Sequence, residues 1–548
     1  MSAHNPLPGP HYPVLIVGGG LAGLTTALLL AWRGIRPLLL ERHASASLHP
    51  RARTVNFRSM ELLRLTGIEE ELHAADGNSF ADVAMIVAAS VTGEVFHTLF
   101  PRGDMNAQAK GFTPARLSGA GQDKVEPILA RRAQELGADV RFSTELISWD
   151  QNPAGIEAVF RHRQTGEEQR VTADYLVAAD GNRSPIRERL GIATRGHGRI
   201  SSWLTTVFES ESPLPTDGRG FSLYYLRNPN FNGAYASTDI PRRATVGVEY
   251  DPKTRSLAEF TDDHCLDLIR QALGVDLKVR ILEKQPWEMS SYVADRFISG
   301  RVFLAGDAAH TMPPTGGLGG QTAMQDGADL AWKLALVLQG QADPALLQTY
   351  ETERKPVAHL TVDFQTANYL VRMRPDRDDL KSNAPAIDYM AVALGYRYRS
   401  PAILLDVPDD GSPVINPFAS AGLPGTRAPH LVISRAGQQL STIDLFGAHF
   451  LLLASPDGEA WKTAAAIVAA QRGLPLDIYR LGTDILDVEN EWSARYGVDR
   501  DGAVLIRPDG FIAWRSRTRV DDPSGIFESV LNQVLSAQPH AAPESPSN

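Results

Sequence analysis

The fold of this chain is decided by the segment Val14-Leu15-Ile16-Val17-Gly18-Gly19-Gly20-Leu21-Ala22-Gly23. Four apolar residues of strand length run into glycines spaced as G-x-G-x-x-G, and an apolar-periodic stretch of helical length, 21–33, follows them. A second apolar run then ends at Glu41. This order predicts a strand, a tight glycine turn, a helix and a parallel second strand, which together form the first unit of a Rossmann-like α/β sheet.

The same unit predicts a dinucleotide site. One glycine permits the tight turn, one lets the backbone approach a pyrophosphate, and one allows close packing of the helix on the strand. The pyrophosphate is expected at the helix N-terminus, where free N–H groups and the helix dipole favour negative charge. Glu41 is expected to accept hydrogen bonds from a ribose. The alternative is a plain strand-turn-helix, and this stretch does not separate FAD from NAD.

Composition limits the class of protein. The 548 residues are 43% hydrophobic and 22% charged, which is typical of a globular protein with more than one domain. The net charge of −10 argues against nonspecific binding to nucleic acid or to an anionic membrane. The single cysteine, Cys265, excludes an intrachain disulfide and a cysteine-rich metal site, and we predict no metal. With no signal-like start and no apolar run of membrane length, the expected location is cytoplasmic.

The order of strand-like and helix-like segments predicts the domain organisation. Short β-rich runs separated by Pro, Gly and Asp turns predict an antiparallel sheet at 195–290, and a Pro/Gly/Asp/Ser-rich stretch predicts a linker at 401–425. The predicted parts are an FAD-binding domain in three pieces (1–78, 116–194 and 291–400, the last with a helical region), substrate-domain strands at 79–115, a substrate-binding sheet at 195–290, the linker at 401–425, a thioredoxin-like domain at 426–536 and a disordered tail at 537–548.

Two further glycine-and-acid motifs follow apolar runs later in the chain. The first is Asp180-Gly181-Asn182-Arg183-Ser184-Pro185-Ile186-Arg187, and the second runs from Gly306-Asp307 to Gly319-Gly320. Taken singly, Asp180 and Asp307 are more typical of turns than of ligands. A glycine-rich loop that leads into a helix also presents unpaired N–H groups, which suit the anionic edge of a reduced flavin.

With these three motifs in this order, the chain resembles the class A flavoprotein aromatic hydroxylases, the relatives of para-hydroxybenzoate hydroxylase. The resemblance covers roughly residues 12–400, and the C-terminal part resembles the thioredoxin-like domain of the phenol and polyketide hydroxylases. It implies non-covalent FAD, NADPH or NADH as electron donor, and O₂. The implied reaction is hydroxylation of a phenolic or polycyclic aromatic substrate through a flavin C4a-hydroperoxide, in antibiotic biosynthesis or aromatic catabolism, with a homodimer possible.

The resemblance also implies roles for individual residues. The flavin carries the chemistry, so no catalytic side chain is assigned. FAD contacts are expected at Gly18, Gly20, Leu21, Ala22, Gly23, Glu41, Arg42, Arg51, Gln122, Asp180, Gly306, Asp307, Gly319, Gly320, Gln321 and Thr322. NAD(P)H contacts are expected at Arg183 and Arg187, and pocket walls at Pro313, Pro314, Tyr224 and Tyr235, with Phe221 and Tyr225 as further candidates.

One departure from the family bears on the flavin. Members usually carry Leu-Asn or Met-Asn where this chain has Gly320-Gln321, with Thr322 expected to cap the following helix. Several plainer interpretations stay open. His310 is as typical of a structural histidine as of a ligand, Arg53 and Arg58 suit a solvated basic face, and strand aromatics are more often core. Baeyer–Villiger oxidation, epoxidation, plain oxidation, or an idle flavin-binding interaction protein remain alternatives.

Overall fold

The computed structural model describes residues 9–46, 52–76, 83–100, 105–238, 240–380 and 387–536. Its strands are β1 (His11–Val17), β2 (Leu38–Leu40), β3 (Ala84–Ala88), β4 (Val95–Phe100), β5 (Asp139–Arg141), β6 (Thr144–Asn152), β7 (Gly155–His162), β8 (Glu168–Ala178), β9 (Thr194–Ser210), β10 (Ser222–Asn228), β11 (Phe231–Ser237), β12 (Arg243–Tyr250), β13 (Val279–Ala294), β14 (Ile298–Ser299), β15 (Val302–Leu304), β16 (His310–Thr311), β17 (Val432–Arg435), β18 (Gln438–Ser441), β19 (Phe450–Ala454), β20 (Leu476–Arg480), β21 (Leu486–Asp487), β22 (Ala503–Ile506) and β23 (Ile512–Ser516).

The α-helices alternate with these strands and carry the longer connections. They are α1 (Leu21–Trp32), α2 (Phe57–Arg64), α3 (Glu69–Asp76), α4 (Met105–Ala109), α5 (Gln122–Glu135), α6 (Pro185–Arg189), α7 (Asp262–Leu273), α8 (Gly319–Leu338), α9 (Thr349–Arg372), α10 (Tyr389–Leu394), α11 (Glu459–Arg472), α12 (Trp492–Tyr496) and α13 (Pro523–Ser536). No helix among the described residues is both long and apolar enough to cross a membrane.

The first sheet holds the predicted Rossmann-like unit. Its strands run in the order β14-β15-β8-β1-β2-β5, and β15, β8, β1, β2 and β5 are mutually parallel. The central strands are continuous apolar runs because a parallel sheet is covered on both faces. Helix α1 is buried along almost its whole length, since it lies between this sheet and α8. The predicted strand, glycine turn, helix and second strand are therefore present.

The second sheet is the antiparallel domain expected at 195–290, joined by the two strands expected within 79–115. Its order is β16-β13-β9-β12-β11-β10-β3-β4, with one parallel pair, β10 and β3. Helix α7 packs on one face of this sheet, and its buried Cys265 lies in the apolar core between them. Helix α9 packs on the other face. Because β16 pairs with β13, this sheet begins directly beyond the Gly306–Ala308 turn of the first domain.

The C-terminal region has the order of elements expected of a thioredoxin-like domain. Strand β19 pairs in parallel with β20 and antiparallel with β22, and β22 forms a hairpin with β23. Its core is continuous with the first domain, because Trp332 of α8 packs edge-on against Phe450 at a ring separation of 6.0 Å. The predicted linker carries buried side chains such as Ala402 and Ile403, so it packs onto the domains that it joins. The predicted disordered tail, 537–548, lies outside the described residues.

Candidate functional site

The three sequence motifs meet at one edge of the first sheet. Val17 pairs with both Leu40 and Ala178, and Ala178 pairs with Leu304, so the last residues of four neighbouring parallel strands are in register. Glu41, the glycine turn, Asp180 and the Gly306–Ala308 turn each begin within two residues of the end of one of these strands. Adjacent strands are about 4.8 Å apart, so the row spans about 14 Å. Ligands of open α/β sheets bind at this carboxyl edge.

The glycines of the row are required by close contact. A Cβ on Gly18, whose φ is +109°, would lie 2.1 Å from the carbonyl oxygen of Ala179. On Gly23 it would lie 2.0 Å from the Gly18 oxygen, and on Gly306 (φ +61°) it would lie 2.9 Å from the Ala22 Cβ. Gly18 and Gly306 therefore let one motif pack against another, and Gly23 lets the first turn of α1 close onto Gly18.

Two helices point bare N-termini at this surface. The N-cap residues, Gly20 for α1 and Leu318 for α8, make no side-chain cap, and neither helix has an acidic residue in its first turn. Most helices satisfy these N–H groups with a Ser, Thr, Asp or Asn cap. Uncapped N-termini therefore offer hydrogen-bond donors and positive dipole ends to an anion. A cofactor with a pyrophosphate and a ring that becomes anionic on reduction fits this pair, so the residues present suit FAD.

The predicted acids have distinct settings. The Glu41 carboxylate accepts a hydrogen bond from the Gly19 N–H at 2.6 Å, so it lies directly beside the glycine turn. Asp180 accepts from the Ser184 hydroxyl at 2.6 Å and from the Ile186 N–H at 3.1 Å, and burial raises the pKa of Asp180. Asp180 therefore shapes its own turn, as the plainer interpretation expects. The Asp307 side chain is exposed at the edge of the row.

The two predicted NAD(P)H arginines differ from each other. Arg183 is exposed, whereas Arg187 is only 7% exposed and donates to the carbonyl oxygens of Ala308 at 2.9 Å and Asn182 at 3.0 Å. Arg187 thus joins the second motif to the third. Contact with NAD(P)H stays a prediction for both residues, and the contacts of Arg187 favour a structural role.

The Gly320-Gln321 departure has a structural explanation. The Gln321 amide is buried, donates to the Thr54 carbonyl at 2.6 Å and accepts from the Asn56 N–H at 3.0 Å. A Cβ on Gly320 would lie 2.8 Å from Leu21 Cδ1, so a glycine there lets α8 approach α1. The expectation that Thr322 caps α8 is wrong: the helix begins at Gly319, and the Thr322 hydroxyl donates back to the Leu318 carbonyl at 2.9 Å.

The remaining predicted FAD contacts surround the same row. Gln122 begins α5, and its side-chain oxygen accepts from the Ala52 N–H at 3.3 Å, next to the segment that Gln321 holds. Leu21 and Ala22 form the first turn of α1, and Gly319 the first turn of α8. Arg42 is exposed beside Glu41. Arg51 lies outside the described residues.

The predicted pocket walls divide between two faces of the second sheet. Tyr224 and Tyr235 pack edge-on at 6.0 Å within the core under α7, so their placement argues against a pocket role. Tyr225 points the other way, toward α9, because neighbouring residues of a strand face opposite sides. Pro313 is buried and Pro314 exposed in the loop before α8.

Arg372 lies where this second face meets the loop before α8. Its guanidinium donates to the Thr315 carbonyl oxygen and, at 3.5 Å, to the Tyr225 hydroxyl. Burial raises the pKa of Tyr225, although Arg372 opposes the shift. The side of the sheet that faces the cofactor domain therefore presents a neutral phenol beside a fixed positive charge.

Asp326 was not predicted from the sequence, although its side chain contacts the third motif at Gly306. Fully buried, it accepts from the Gly306 N–H at 3.0 Å, from Arg354 Nε at 2.8 Å, and pairs with His310 Nε2 at 2.7 Å. Burial raises its pKa, but Arg354 and His310 outweigh this and hold the pKa below the ordinary value. His310 is therefore structural. The one sequence feature that indicates this role is an acidic residue seven positions after Gly319, the first residue of α8.

Arg58 also differs from its expected solvated setting. It is 4% exposed, contacts the Asp509 carbonyl oxygen of the C-terminal domain, and pairs with Glu61 at 3.2 Å. Glu61 in turn pairs with Arg427 across the same interface. The charge that resembled a basic surface is a buried contact between domains.

Comparison with known proteins identifies the class. Residues 11–365 match a family model described as an FAD binding domain, and residues 421–537 match one described as the C-terminal domain of aromatic-ring hydroxylases. The chain belongs to the class A flavoprotein aromatic hydroxylases. It is an FAD-dependent monooxygenase that acts on an aromatic substrate with NAD(P)H and O₂.

Particular relatives cover almost the whole chain. Aklavinone 12-hydroxylase of Streptomyces purpurascens is 43% identical over 529 residues, which is 95% of this chain and 98% of that protein. 4-Methyl-5-nitrocatechol 5-monooxygenase of a Burkholderia species is 40% identical over 542 residues, 96% of this chain and 98% of that protein. A ternary complex of aklavinone-11 hydroxylase with FAD and aklavinone superposes with a TM-score of 0.90 at 42% identity, covering 98% of this chain and 100% of that one.

Proposed function

We propose that this protein hydroxylates a polycyclic aromatic polyketide. The observation that carries the proposal is the full-length similarity to a hydroxylase whose structure holds both FAD and the polyketide aklavinone, at a TM-score of 0.90. Relatives named as a polyketide hydroxylase of Streptomyces halstedii and a tetracenomycin B2 monooxygenase-dioxygenase of Streptomyces olivaceus, 42% and 39% identical, support the same substrate class.

The residues of the carboxyl edge have assigned roles in this proposal. The N–H groups at the start of α1 bind the pyrophosphate, Glu41 binds the adenosine ribose, and Asp307 binds the ribityl chain. The N-terminus of α8 stabilises negative charge on the ring system through its unpaired N–H groups and dipole. When bound, FAD would accept hydride from NAD(P)H and reduce O₂, which supplies the oxygen atom that is transferred.

The substrate lies, in this proposal, between the loop before α8 and the α9-facing side of the second sheet. Arg372 and the Tyr225 hydroxyl are placed there to bind phenolic or quinone oxygens of the substrate. A guanidinium stabilises a phenolate, and an electron-rich ring accepts oxygen more readily. The apolar side chains around this pair, Trp203, Met289 and Leu370 among them, exclude water.

A monocyclic substrate is the second candidate. The similarity to 4-methyl-5-nitrocatechol 5-monooxygenase, at 40% identity over 96% of this chain, favours it directly. Both candidates use the same cofactor edge and differ only in the size of the ring system bound.

Turnover of the FAD-loaded enzyme distinguishes them. NADH or NADPH oxidation and O₂ uptake are measured with a tetracyclic anthracyclinone and with 4-methyl-5-nitrocatechol. The masses of the products are then determined by mass spectrometry after reaction with isotope-labelled O₂. We expect a product heavier by one labelled oxygen atom from the tetracycle. A labelled product from the nitrocatechol alone would contradict the polyketide proposal, and a lactone in place of a phenol would identify Baeyer–Villiger chemistry.

A matched pair of variants tests the assigned substrate contact. Arg372→Gln removes the cation beside Tyr225, and we expect KM for the tetracycle to rise roughly tenfold, the cost of one charged hydrogen bond. Arg374→Gln is the control, because Arg374 pairs with Glu249 and Asp376 instead. An equal rise in KM for both variants would remove Arg372 from the proposed site.

Location and assembly are also part of the proposal. A cytoplasmic enzyme is supported by the need for NAD(P)H and by a single, buried cysteine. The acidic net charge of −10 supports a protein that binds neither nucleic acid nor an anionic membrane. A homodimer is proposed from the family resemblance alone. Light scattering of the purified protein measures the assembly.

A further inference from the structure

The C-terminal domain inserts one arginine into the core beneath the cofactor edge. Arg507 lies in the turn between β22 and β23, is fully buried, and donates two hydrogen bonds to the Glu353 carboxylate of α9, at 2.6 and 2.9 Å. Its guanidinium lies 4.9 Å from the ring centre of Trp332 on α8 and 5.4 Å from that of Tyr398. A single side chain of this domain thus contacts both helices that lead to the cofactor motifs.

The charges around Arg507 depend on it. Glu353 also accepts from Lys333 at 2.8 Å, and Lys333 pairs with Asp329 at 2.6 Å, all without exposure to solvent. Asp509, next to Arg507 in the turn, adds a third carboxylate. Without Arg507, Asp329 and Glu353 would keep Lys333 as their paired cation, and Asp509 would lose its paired guanidinium. Removing one partner of a buried ion pair is costly because it leaves an uncompensated charge.

The backbone of α9 and the Tyr398 ring, which Arg507 faces at 5.4 Å, join this cluster to Arg354, and hydrogen bonds lead from Arg354 to the cofactor edge. The residue after Glu353, Arg354, donates to the Tyr398 hydroxyl at 3.0 Å, to the Thr322 carbonyl in the first turn of α8 at 3.2 Å, and to Asp326 at 2.8 Å. Asp326 in turn accepts from the Gly306 N–H. Each step is fully buried, where hydrogen bonds to charged groups are strong and unpaired groups are costly.

We propose that Arg507 is a positioning residue of the FAD site, through which the C-terminal domain fixes α9 against α8 and so holds the Gly306–Ala308 turn. The domain has no cysteine and therefore no dithiol chemistry, and this contact gives it a function in the reaction. Arg507 acts on FAD through Glu353, Arg354 and Asp326 and does not touch the cofactor.

Two variants in the same hairpin separate positioning from general stability. Arg507→Gln removes the cation, and FAD release from the diluted holoenzyme is followed by flavin fluorescence. We expect the Kd for FAD to rise roughly tenfold, in the usual range of coupling between sites. Arg515→Gln is the control, because Arg515 is also buried, at 4% exposure, but pairs with Asp406 and the Tyr496 carbonyl, away from α8 and α9. It should lower the unfolding temperature but raise the Kd less than about twofold.

A double-mutant cycle tests the route. In an Asp326→Asn background, Arg507→Gln should change the Kd for FAD less than about twofold, because its effect passes through Asp326. Equal Kd changes for Arg507→Gln and Arg515→Gln, or an unchanged effect of Arg507→Gln in the Asp326→Asn background, would overturn the proposal. If Arg507→Gln does not fold, Arg507→Lys and Arg515→Lys are compared in the same way, since lysine keeps the charge but loses the two-pronged geometry.

Discussion

The two halves of α8 differ in composition, with glycines in the first turn and buried charged residues in the middle. Its first turn, Gly319 and Gly320, is bare backbone against α1 and the cofactor edge, whereas its middle carries Asp326, Asp329 and Lys333, all buried among ions of α9 and the C-terminal domain. The glycine half has to leave N–H groups free for a charged cofactor, so side chains are excluded. The ionic half, with Asp326, Asp329 and Lys333, binds no ligand. Its charged side chains pair with other residues of the protein and so hold two domains together.

The glycine half packs against the first turn of α1, and a glycine there should fail by steric overlap, with the largest effect on FAD binding that we expect. Gly23→Ala would place a Cβ 2.0 Å from the Gly18 oxygen. An overpacking cost of about 3 kcal/mol would weaken FAD binding roughly a hundredfold. The flavin-to-protein ratio after gel filtration checks this. Gly34→Ala, just beyond the end of the same helix, is the control for backbone strain without overlap, because φ is +80° there and no atom lies within 4 Å of the new Cβ. An equal loss of flavin there would show that steric overlap is not the cause.

The ionic contacts should fail by loss of a partner, and the effect is expected in the stability of the fold. Glu61 is 2% exposed and pairs with both Arg58 and Arg427, so Glu61→Gln should lower the free energy of unfolding by about 3–5 kcal/mol. Chemical denaturation measures it. Glu135→Gln, in an exposed ion pair with Arg131, should change stability very little. Comparable losses for the two variants would mean that burial at the domain interface adds nothing.

The smallest expected effect is a pH dependence of the ionic half. Burial, together with the carboxylates of Glu353 and Asp509, raises the pKa of Asp329 to about 7, although Lys333 opposes the shift. A raised folded-state pKa stabilises the fold most below the unfolded value of 3.8, and this contribution is lost as pH rises toward 7. Between pH 5 and pH 8 the wild type should therefore lose roughly 2 kcal/mol relative to Asp329→Asn. Parallel stability curves for the two proteins would contradict this assignment.

The same contrast explains what could be predicted from sequence. Gly18, Gly23 and Gly306 belong to short contiguous motifs, so their spacing predicts the turns. The contacts of Gly18 with Ala179 and of Gly306 with Ala22 join distant segments, and only the order of the three motifs indicates that they share one edge. Glu61 and Arg427 are 366 residues apart and Glu353 and Arg507 are 154 apart, and no local pattern joins such partners. The tyrosines show the intermediate case, because strand alternation predicts two faces but not which face meets α9.

A crystal structure of the holoenzyme with FAD tests the central claim most directly. The account predicts a single FAD along the row from Glu41 to Asp307, with its pyrophosphate on main-chain N–H groups at the start of α1 and its ring system at the start of α8. A cofactor whose pyrophosphate lies away from the 18–23 turn, or whose ring does not reach the N-terminus of α8, would contradict it.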